Sequence, residues 1–132
     1  MKKKRIIIAG IGFIFVLLAV GVFVLTRDLS YMRSVELHGI NLTSVDDGSH
    51  IGTFERGRFT NTLTVHVLDN TIMRIDIIND VLGAGVTNAS GETFERVIGA
   101  QDTKIDAIAG ATATTTAYLK AVEDALMGGE GQ

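Results

Sequence analysis

The sequence predicts an α+β protein in which an N-terminal transmembrane helix precedes a small antiparallel sheet covered by two helices. Three patterns predict this class: an uncharged apolar run at the N-terminus, two adjacent segments of alternating apolar and polar residues, and two later segments with apolar residues at helical spacing. A period of two is typical of strands with one buried face, and a period of 3.6 is typical of amphipathic helices. A chain of 132 residues has room for an anchor and one small domain.

The apolar run covers residues 6–25 and consists of 17 apolar side chains and three glycines. Twenty helical residues extend about 30 Å, which is the thickness of the hydrocarbon core of a bilayer. Basic residues fill positions 2–5, so the positive-inside rule predicts a cytoplasmic N-terminus and an extracytoplasmic domain. Residues 1–25 are therefore predicted to be a single-pass signal anchor in the cell membrane. A cleaved signal peptide is the alternative, because Ala19-Val20-Gly21 loosely resembles a cleavage site.

The 107 residues from Thr26 onward are acidic, with 8 basic and 15 acidic side chains and a net charge of −7. Such a surface repels polyanions, so we expect no binding to nucleic acid. The chain has no cysteine, which excludes disulfides and thiolate metal sites, and its three histidines share no metal-ligand spacing. If this protein transfers electrons, an organic cofactor must carry them.

Residues 26–45 mix charged and apolar side chains without a sustained period and are predicted to form a stalk, with a short helix near 29–37. A turn cluster at 46–49 leads into a first strand at 51–54. The domain is predicted to extend over residues 46–127, and residues 128–132 are predicted to be a flexible tail.

The clearest pattern is a β-hairpin. Residues 62–68 and 71–78 both alternate, and Asp69-Asn70 between them supplies the turn. The residues predicted to face the core are Leu63, Val65, Val67, Met73, Ile75 and Ile77.

Two helices are predicted after the hairpin, over residues 92–100 and 112–127. The glycine-rich stretch 79–91 is predicted to be a loop, and residues 105–108 a brief strand. The residues predicted to face the core are Phe94, Val97 and Ile98 in the first helix and Tyr118, Ala121, Val122 and Ala125 in the second.

The strongest candidate for chemistry is the turn from this brief strand into the last helix, where a threonine cluster begins. A helix N-terminus presents unpaired N–H groups and a positive dipole end, which suit a phosphate. Gly110 allows close approach of the backbone, and a threonine hydroxyl at this place can hydrogen-bond a phosphate or become its ester. The structural alternative is that threonine serves as a helix cap and the small residues allow helix–sheet packing.

Residues 106–112, Asp-Ala-Ile-Ala-Gly-Ala-Thr, resemble the flavinylation motif Asp-Gly/Ala-x-Ser/Thr-Gly-Ala-Thr of the FMN-binding domain family. That family includes the extracytoplasmic subunits of the Rnf and sodium-translocating NADH:quinone oxidoreductase complexes. Residues 52–54 and 57–61 resemble the family's Gly-x-Tyr and Gly-Arg-Trp/Phe-Ser/Thr-Asn sequences ahead of the hairpin. The resemblance extends over residues 46–127, nearly the whole predicted domain.

This resemblance implies that Thr112 carries FMN as a phosphoester, attached by a separate flavin transferase with FAD as the donor. Asp106 matches the acidic position of the motif, and Gly110 and Ala111 match its turn. Ala109 departs from the family, which has Ser or Thr there. The resemblance further implies an electron carrier with membrane or extracytoplasmic redox partners, rather than a stand-alone enzyme. The alternatives are a module that binds flavin or another small ligand non-covalently, and an interaction domain without a cofactor.

Overall fold

The computed structural model describes residues 1–81, 89–106 and 112–127. They belong to two compact units, Met1–Tyr31 and Met32–Gln132. The elements are listed here in chain order: helix α1 (Lys2–Ser34), strands β1 (Gly48–Phe54), β2 (Asn61–Leu68) and β3 (Thr71–Asp80), and helices α2 (Ala89–Ala100) and α3 (Thr112–Met127). The predicted α+β class is confirmed.

Helix α1 has 33 residues and is long and apolar enough to cross a membrane. Its most apolar 18-residue window has a mean hydropathy of 3.0, and none of that window is buried within the protein. The helix covers the predicted anchor and continues to Ser34. Residues 29–34 of the short helix predicted near 29–37 are helical, as the last turns of α1, whereas residues 35–37 are not.

Part of the segment predicted to be a stalk packs on the domain. Leu37, Ile40 and Leu42 contact the core. The backbone N–H groups of His38 and Gly39 donate hydrogen bonds of 2.9 and 3.1 Å to one carboxylate oxygen of a buried glutamate in α3. This segment has no apolar period because it is held by single side chains and backbone amides rather than by a regular element.

The three strands form one antiparallel sheet in the order β1-β2-β3. Asp69 and Asn70 connect β2 to β3 with φ values of 52° and 58°, the left-handed conformation that two-residue hairpin turns require. The predicted hairpin is thus confirmed. The first strand starts earlier than predicted, at Gly48, because the turn cluster already pairs with the end of β2.

Of the three β3 residues predicted to face the core, Ile75 is buried as predicted, whereas Met73 and Ile77 are exposed. Ile72 and Ile75 are buried, with 1% and 7% of their surface exposed, whereas Met73 is 57% exposed and Ile77 is 37% exposed. The pairing with β2 shifts by one residue at Met73, which has no partner across the ladder. After such a bulge, the residues that alternate toward the core change from odd to even positions or the reverse. Strict alternation along the whole strand therefore assigned Met73 to the wrong face of the sheet.

Helices α2 and α3 complete the core against the sheet. The predicted inward residues of both helices are buried or partly buried, and α3 has the predicted bounds. Helix α2 begins at Ala89, inside the predicted loop. The predicted strand at 105–108 is wrong at Ile105 and Asp106, which belong to no strand, and its last two residues lie outside the described part of the chain.

Helix α3 crosses β1 very closely at Gly52. A Cβ atom built on Gly52 would lie 2.0 Å from the backbone oxygen of Ala121 and 2.7 Å from the Cβ of Ala125. The absence of a side chain at Gly52 therefore sets the distance between α3 and the sheet.

Candidate functional site

Thr112 is the first residue of α3, and its side chain is exposed. Its carbonyl accepts a hydrogen bond of 2.9 Å from the Thr116 hydroxyl. The backbone N–H groups of the first helical turn have no partner within the helix, and they lie at the positive end of its dipole. The start of α3 thus combines a hydroxyl that solvent can reach with an environment that favours an anion.

The threonines of this cluster differ in exposure. Thr115 is fully buried, and Thr114 and Thr116 are half-buried, which leaves Thr112 as the exposed hydroxyl of the four. A macromolecule that modifies this cluster would therefore meet Thr112 first.

Asp106 marks the beginning of the predicted motif and is exposed. Its carbonyl accepts a hydrogen bond of 3.1 Å from Nη1 of Arg96, while Nη2 of Arg96 pairs with Glu92 at 2.7 Å. Helix α2 thus holds the backbone at which the motif begins, a contact that the sequence analysis did not predict. Ala109, Gly110 and Ala111 lie outside the described residues.

A polar contact joins α3 to the end of the hairpin. The Tyr118 hydroxyl donates a hydrogen bond of 2.5 Å to Oδ2 of Asp80. Burial raises the pKa of Tyr118, and the hydrogen bond and negative charge of Asp80 raise it further. The ring of Phe94 packs edge-on against Tyr118, with centroids 5.6 Å apart, so α2 meets α3 at the same place.

Three buried side chains of the domain keep a polar atom without a partner among the described residues. Among the described residues, no group hydrogen-bonds the hydroxyls of Thr93 and Thr115 or the Oδ1 of Asn61. These side chains are 0%, 0% and 1% exposed. An unpaired buried polar group costs about 1–3 kcal/mol, so each of these atoms lowers the stability of the domain. Sequence patterns did not indicate these unpaired atoms, because a threonine that will be buried without a partner has no local signal.

A comparison with protein families identifies the domain. The family model described as FMN-binding domain matches residues 57–127, more than half of the chain. The chain belongs to the FMN-binding domain family. The suspected family and its cofactor FMN are thereby confirmed. Comparisons with curated proteins and with solved structures gave no match.

The matched region runs from just before β2 to the end of α3 and contains Thr112. The elements that form the core of this FMN-binding domain therefore also position its candidate site. Among the described residues, no group of three histidine or carboxylate side chains is arranged to hold a metal ion.

The FMN-binding domain also carries a polar cluster that spacing alone did not indicate. His66 Nδ1 lies 2.8 Å from the Ser49 hydroxyl, and its Nε2 lies 2.9 Å from Oδ2 of Asp76. Arg74 contacts the same Asp76 oxygen at 2.8 Å. These residues lie on the sheet face opposite the core, so the cluster is separate from the start of α3 and braces the three strands from outside.

An open cleft of about 780 Å³ lies at the other end of α3, next to Leu126 and Met127. Its polar lining includes His38, Asp102 and Lys104. Thirteen or more helical residues separate it from Thr112, about 20 Å along the axis. This cleft and the start of α3 are therefore different places.

Proposed function

We propose that this protein is a membrane-anchored, extracytoplasmic flavoprotein that carries FMN covalently on Thr112 and passes electrons between redox partners. The observation that carries the proposal is the exposed hydroxyl of Thr112 at the start of α3, inside a domain of the FMN-binding family. Thr112 is also the last residue of the segment that resembles the family's flavinylation motif.

The attachment is a transfer of the FMN part of FAD to the threonine. The Oγ1 of Thr112 forms a bond to the FMN phosphorus, the phosphoanhydride bond of FAD breaks, AMP leaves, and the hydroxyl proton passes to a base. A flavin transferase, with its own divalent metal, provides the base and the bound donor. This chain provides an accessible acceptor on a fixed helix end.

The start of α3 favours the product of this transfer. A phosphodiester retains one negative charge, and the free N–H groups and dipole of a helix N-terminus stabilise such a charge. The net charge of −7 on residues 26–132 repels free FMN at long range, so a covalent bond retains a cofactor that would otherwise be diluted outside the cell. The bound flavin supplies the capacity to accept and donate electrons.

Helix α1 supports the anchored location. Its apolar side chains are exposed on all faces, and bilayer is the environment that such a helix prefers. The basic residues at positions 2–5 favour a cytoplasmic N-terminus, which puts the FMN-binding domain on the outer side.

The site is tested by mass spectrometry of the full chain after co-expression with a flavin transferase. We expect an FMN adduct on the peptide that contains Thr112, loss of the adduct in Thr112→Ala, and its retention in Thr112→Ser. Thr114→Ala is the matched control and should keep the adduct. Because Thr112 is exposed, its substitution should change the free energy of unfolding by about 0.5 kcal/mol or less. An adduct that persists in Thr112→Ala, or a wild-type chain without flavin in its native host, contradicts the proposal.

The orientation can be tested by cysteine labelling, since the natural chain has no cysteine. Glu55→Cys introduces a thiol at an exposed position of the domain, and Lys3→Cys introduces one before the apolar run. In intact cells with a permeable outer layer, a membrane-impermeant maleimide should label Glu55→Cys and should not label Lys3→Cys. It should label Lys3→Cys only after the cells are lysed. The reverse pattern would place the domain in the cytoplasm.

Non-covalent FMN binding is the second candidate, and Ala109 favours it because the motif lacks its usual hydroxyl there. Denaturation separates the two candidates. A flavin that remains on the unfolded chain shows covalent attachment, whereas a flavin that leaves with the solvent shows non-covalent binding.

A further inference from the structure

Strands β1 and β3 are the two edges of the sheet, and a side chain covers part of each edge. Asp124 of α3 accepts a hydrogen bond of 2.8 Å from the backbone N–H of Thr53 in β1. Gln101 bonds both backbone groups of Ile72 in β3: its Oε1 accepts from the N–H at 2.7 Å, and its Nε2 donates to the carbonyl at 3.1 Å. Gln101 thus takes the place of a neighbouring strand at Ile72. Beyond Ile72, no further strand lies alongside β3 within the described part of the chain.

This uncovered part of β3 carries both apolar and charged side chains on its surface. Its exposed large apolar residues are Met73, Ile77 and Ile78. Arg74 and Asp76 lie on the face opposite the core, where the Nε of Arg74 is 2.8 Å from the Oδ2 of Asp76. Residues 74–77 pair regularly with β2 between its two register shifts. An edge strand of this kind presents backbone N–H and C=O groups to which another strand can bind.

The order of the charges along β3 suits pairing with a second copy of the same strand. In an antiparallel pair, residues directly opposite one another lie on the same face of the sheet and interact. A pairing centred on Ile75 sets Arg74 of each copy opposite Asp76 of the other, which gives two contacts between opposite charges. A pairing centred on Arg74 or on Asp76 would instead set like charges opposite each other, which is unfavourable. The pairing centred on Ile75 also brings the exposed Met73 of each copy next to Ile77 of the other.

We infer that β3 is the interface of a homodimer, in which two copies pair antiparallel about Ile75 and form one sheet of six strands, three from each copy. Such a contact is isologous, since the same residues of both copies meet across a two-fold axis. It covers the exposed apolar residues of β3 and gives its outer edge the neighbouring strand that it lacks among the described residues. The inference goes beyond the proposed function and does not depend on the flavin.

Charge reversal in the full chain, purified in detergent, tests this interface. Arg74→Glu and Asp76→Lys each turn both contacts between opposite charges into contacts between like charges. Either variant alone should therefore raise the dissociation constant of the dimer by about 10- to 100-fold in sedimentation experiments. An equimolar mixture of the two variants again sets opposite charges across the strands and should recover the dimer. Lys104→Glu is the matched control, because it makes the same change of charge at an exposed position outside β3 and should leave the dissociation constant unchanged.

A carbodiimide reports the inferred contact directly in that mixture. The reagent joins a carboxylate to an amine without a spacer, so it should link the glutamate introduced at position 74 to the lysine introduced at position 76. Because the two substitutions are on different chains, a linked peptide found by mass spectrometry must come from two copies. The dimer and this linked peptide together are the expected result.

Three results would overturn the inference. A monomeric wild-type chain would show that the charges and bulges of β3 prevent pairing, which is another use of such features on edge strands. An unchanged dimer in both single variants would place the contact elsewhere, and a mixture of folded variants without the linked peptide would exclude the register. Calorimetry of each variant shows whether it is folded. If a charge reversal prevents folding, Arg74→Gln and Asp76→Asn take its place, and each should raise the dissociation constant by about two- to tenfold. An unchanged value for both would overturn the inference equally.

Discussion

Gly52→Ala should destabilise the domain and impair the flavin site together, because Gly52 sets the distance between β1 and α3. The added Cβ would lie 2.0 Å from the Ala121 oxygen, 2.6 Å from the Ala125 nitrogen and 2.7 Å from the Ala125 Cβ. Two of these three atoms are backbone, so no side-chain rotation relieves the contact. The helix or the strand must move as a whole.

The size of the effect follows from these distances. Ordinary van der Waals contact begins at 3.4 Å, so the Ala121 oxygen is about 1.4 Å too close. Overpacking of this kind costs typically about 1–3 kcal/mol and occasionally more, and a clash with backbone belongs at the upper end. About 3 kcal/mol is a large part of the 5–15 kcal/mol that stabilises a typical domain, and it lowers the unfolding temperature by about 12–24 °C in a domain of this size.

Calorimetry of the full chain in detergent measures this loss, and mass spectrometry of the peptide with Thr112 measures flavin attachment in the same samples. We expect both to fall in Gly52→Ala, since a displaced α3 also displaces its first residue. Gly91→Ala is the matched control: nothing lies within 4 Å of its added Cβ, and alanine in α2 should stabilise the helix by about 0.5–1 kcal/mol. A Gly52→Ala chain within about 0.5 kcal/mol of wild type would refute the close approach of β1 and α3.

Three further perturbations test other contacts. The raised pKa of Tyr118 means that its hydroxyl proton is held more tightly in the folded chain than in the unfolded chain. The contribution of Tyr118 to the free energy of unfolding is therefore complete below pH 10.0, the ordinary pKa of tyrosine, and falls as the pH rises above that value. Tyr118→Phe should abolish that alkaline decline in the unfolding temperature while losing the hydrogen bond to Asp80 at neutral pH, and an unchanged decline would contradict this assignment. In the native chain the Nζ of Lys120 lies 2.9 Å from the Glu123 carboxylate. Glu123→Gln leaves this buried ammonium group without its counter-charge, so it should destabilise the domain by about 3–5 kcal/mol in denaturant titrations. His66→Ala removes two side-chain hydrogen bonds on the outer sheet face and should cost about 1 kcal/mol without reducing flavin attachment, whereas a loss of attachment would show that this cluster belongs to the flavin site.

The parts of the fold that sequence patterns predicted are those that local periodicity determines. Helix α3 has its predicted bounds because small and apolar residues recur at helical spacing from its first to its last turn. The hairpin was predictable because two polar residues that tolerate the left-handed conformation separate two alternating runs. In both cases the energetic preference of the segment itself agrees with its place in the fold.

The errors arise where distant partners decide the structure. Ile72 rather than Met73 is buried because a bulge shifts the pairing with β2, and no local signal marks that shift. The segment around His38 packs on the domain because its amides reach Glu123, 85 residues later in the chain. The unpaired hydroxyls of Thr93 and Thr115 gave no signal in the sequence for the same reason, since the missing partner of a buried hydroxyl becomes evident only in three dimensions.

The same facts explain how one helix can form part of the core and also present the hydroxyl at which we propose that the flavin is attached. The later turns of α3 are immobilised on the sheet at Gly52 and tied by Glu123 to the Thr103 hydroxyl at 2.7 Å and to the segment before β1. Its first residue, Thr112, is exposed. Because the later turns of the helix are fixed, its N-terminal residue has a defined position although it is not buried. In the proposed function, a transferase can therefore reach the Thr112 hydroxyl while the rest of α3 stays fixed on the sheet.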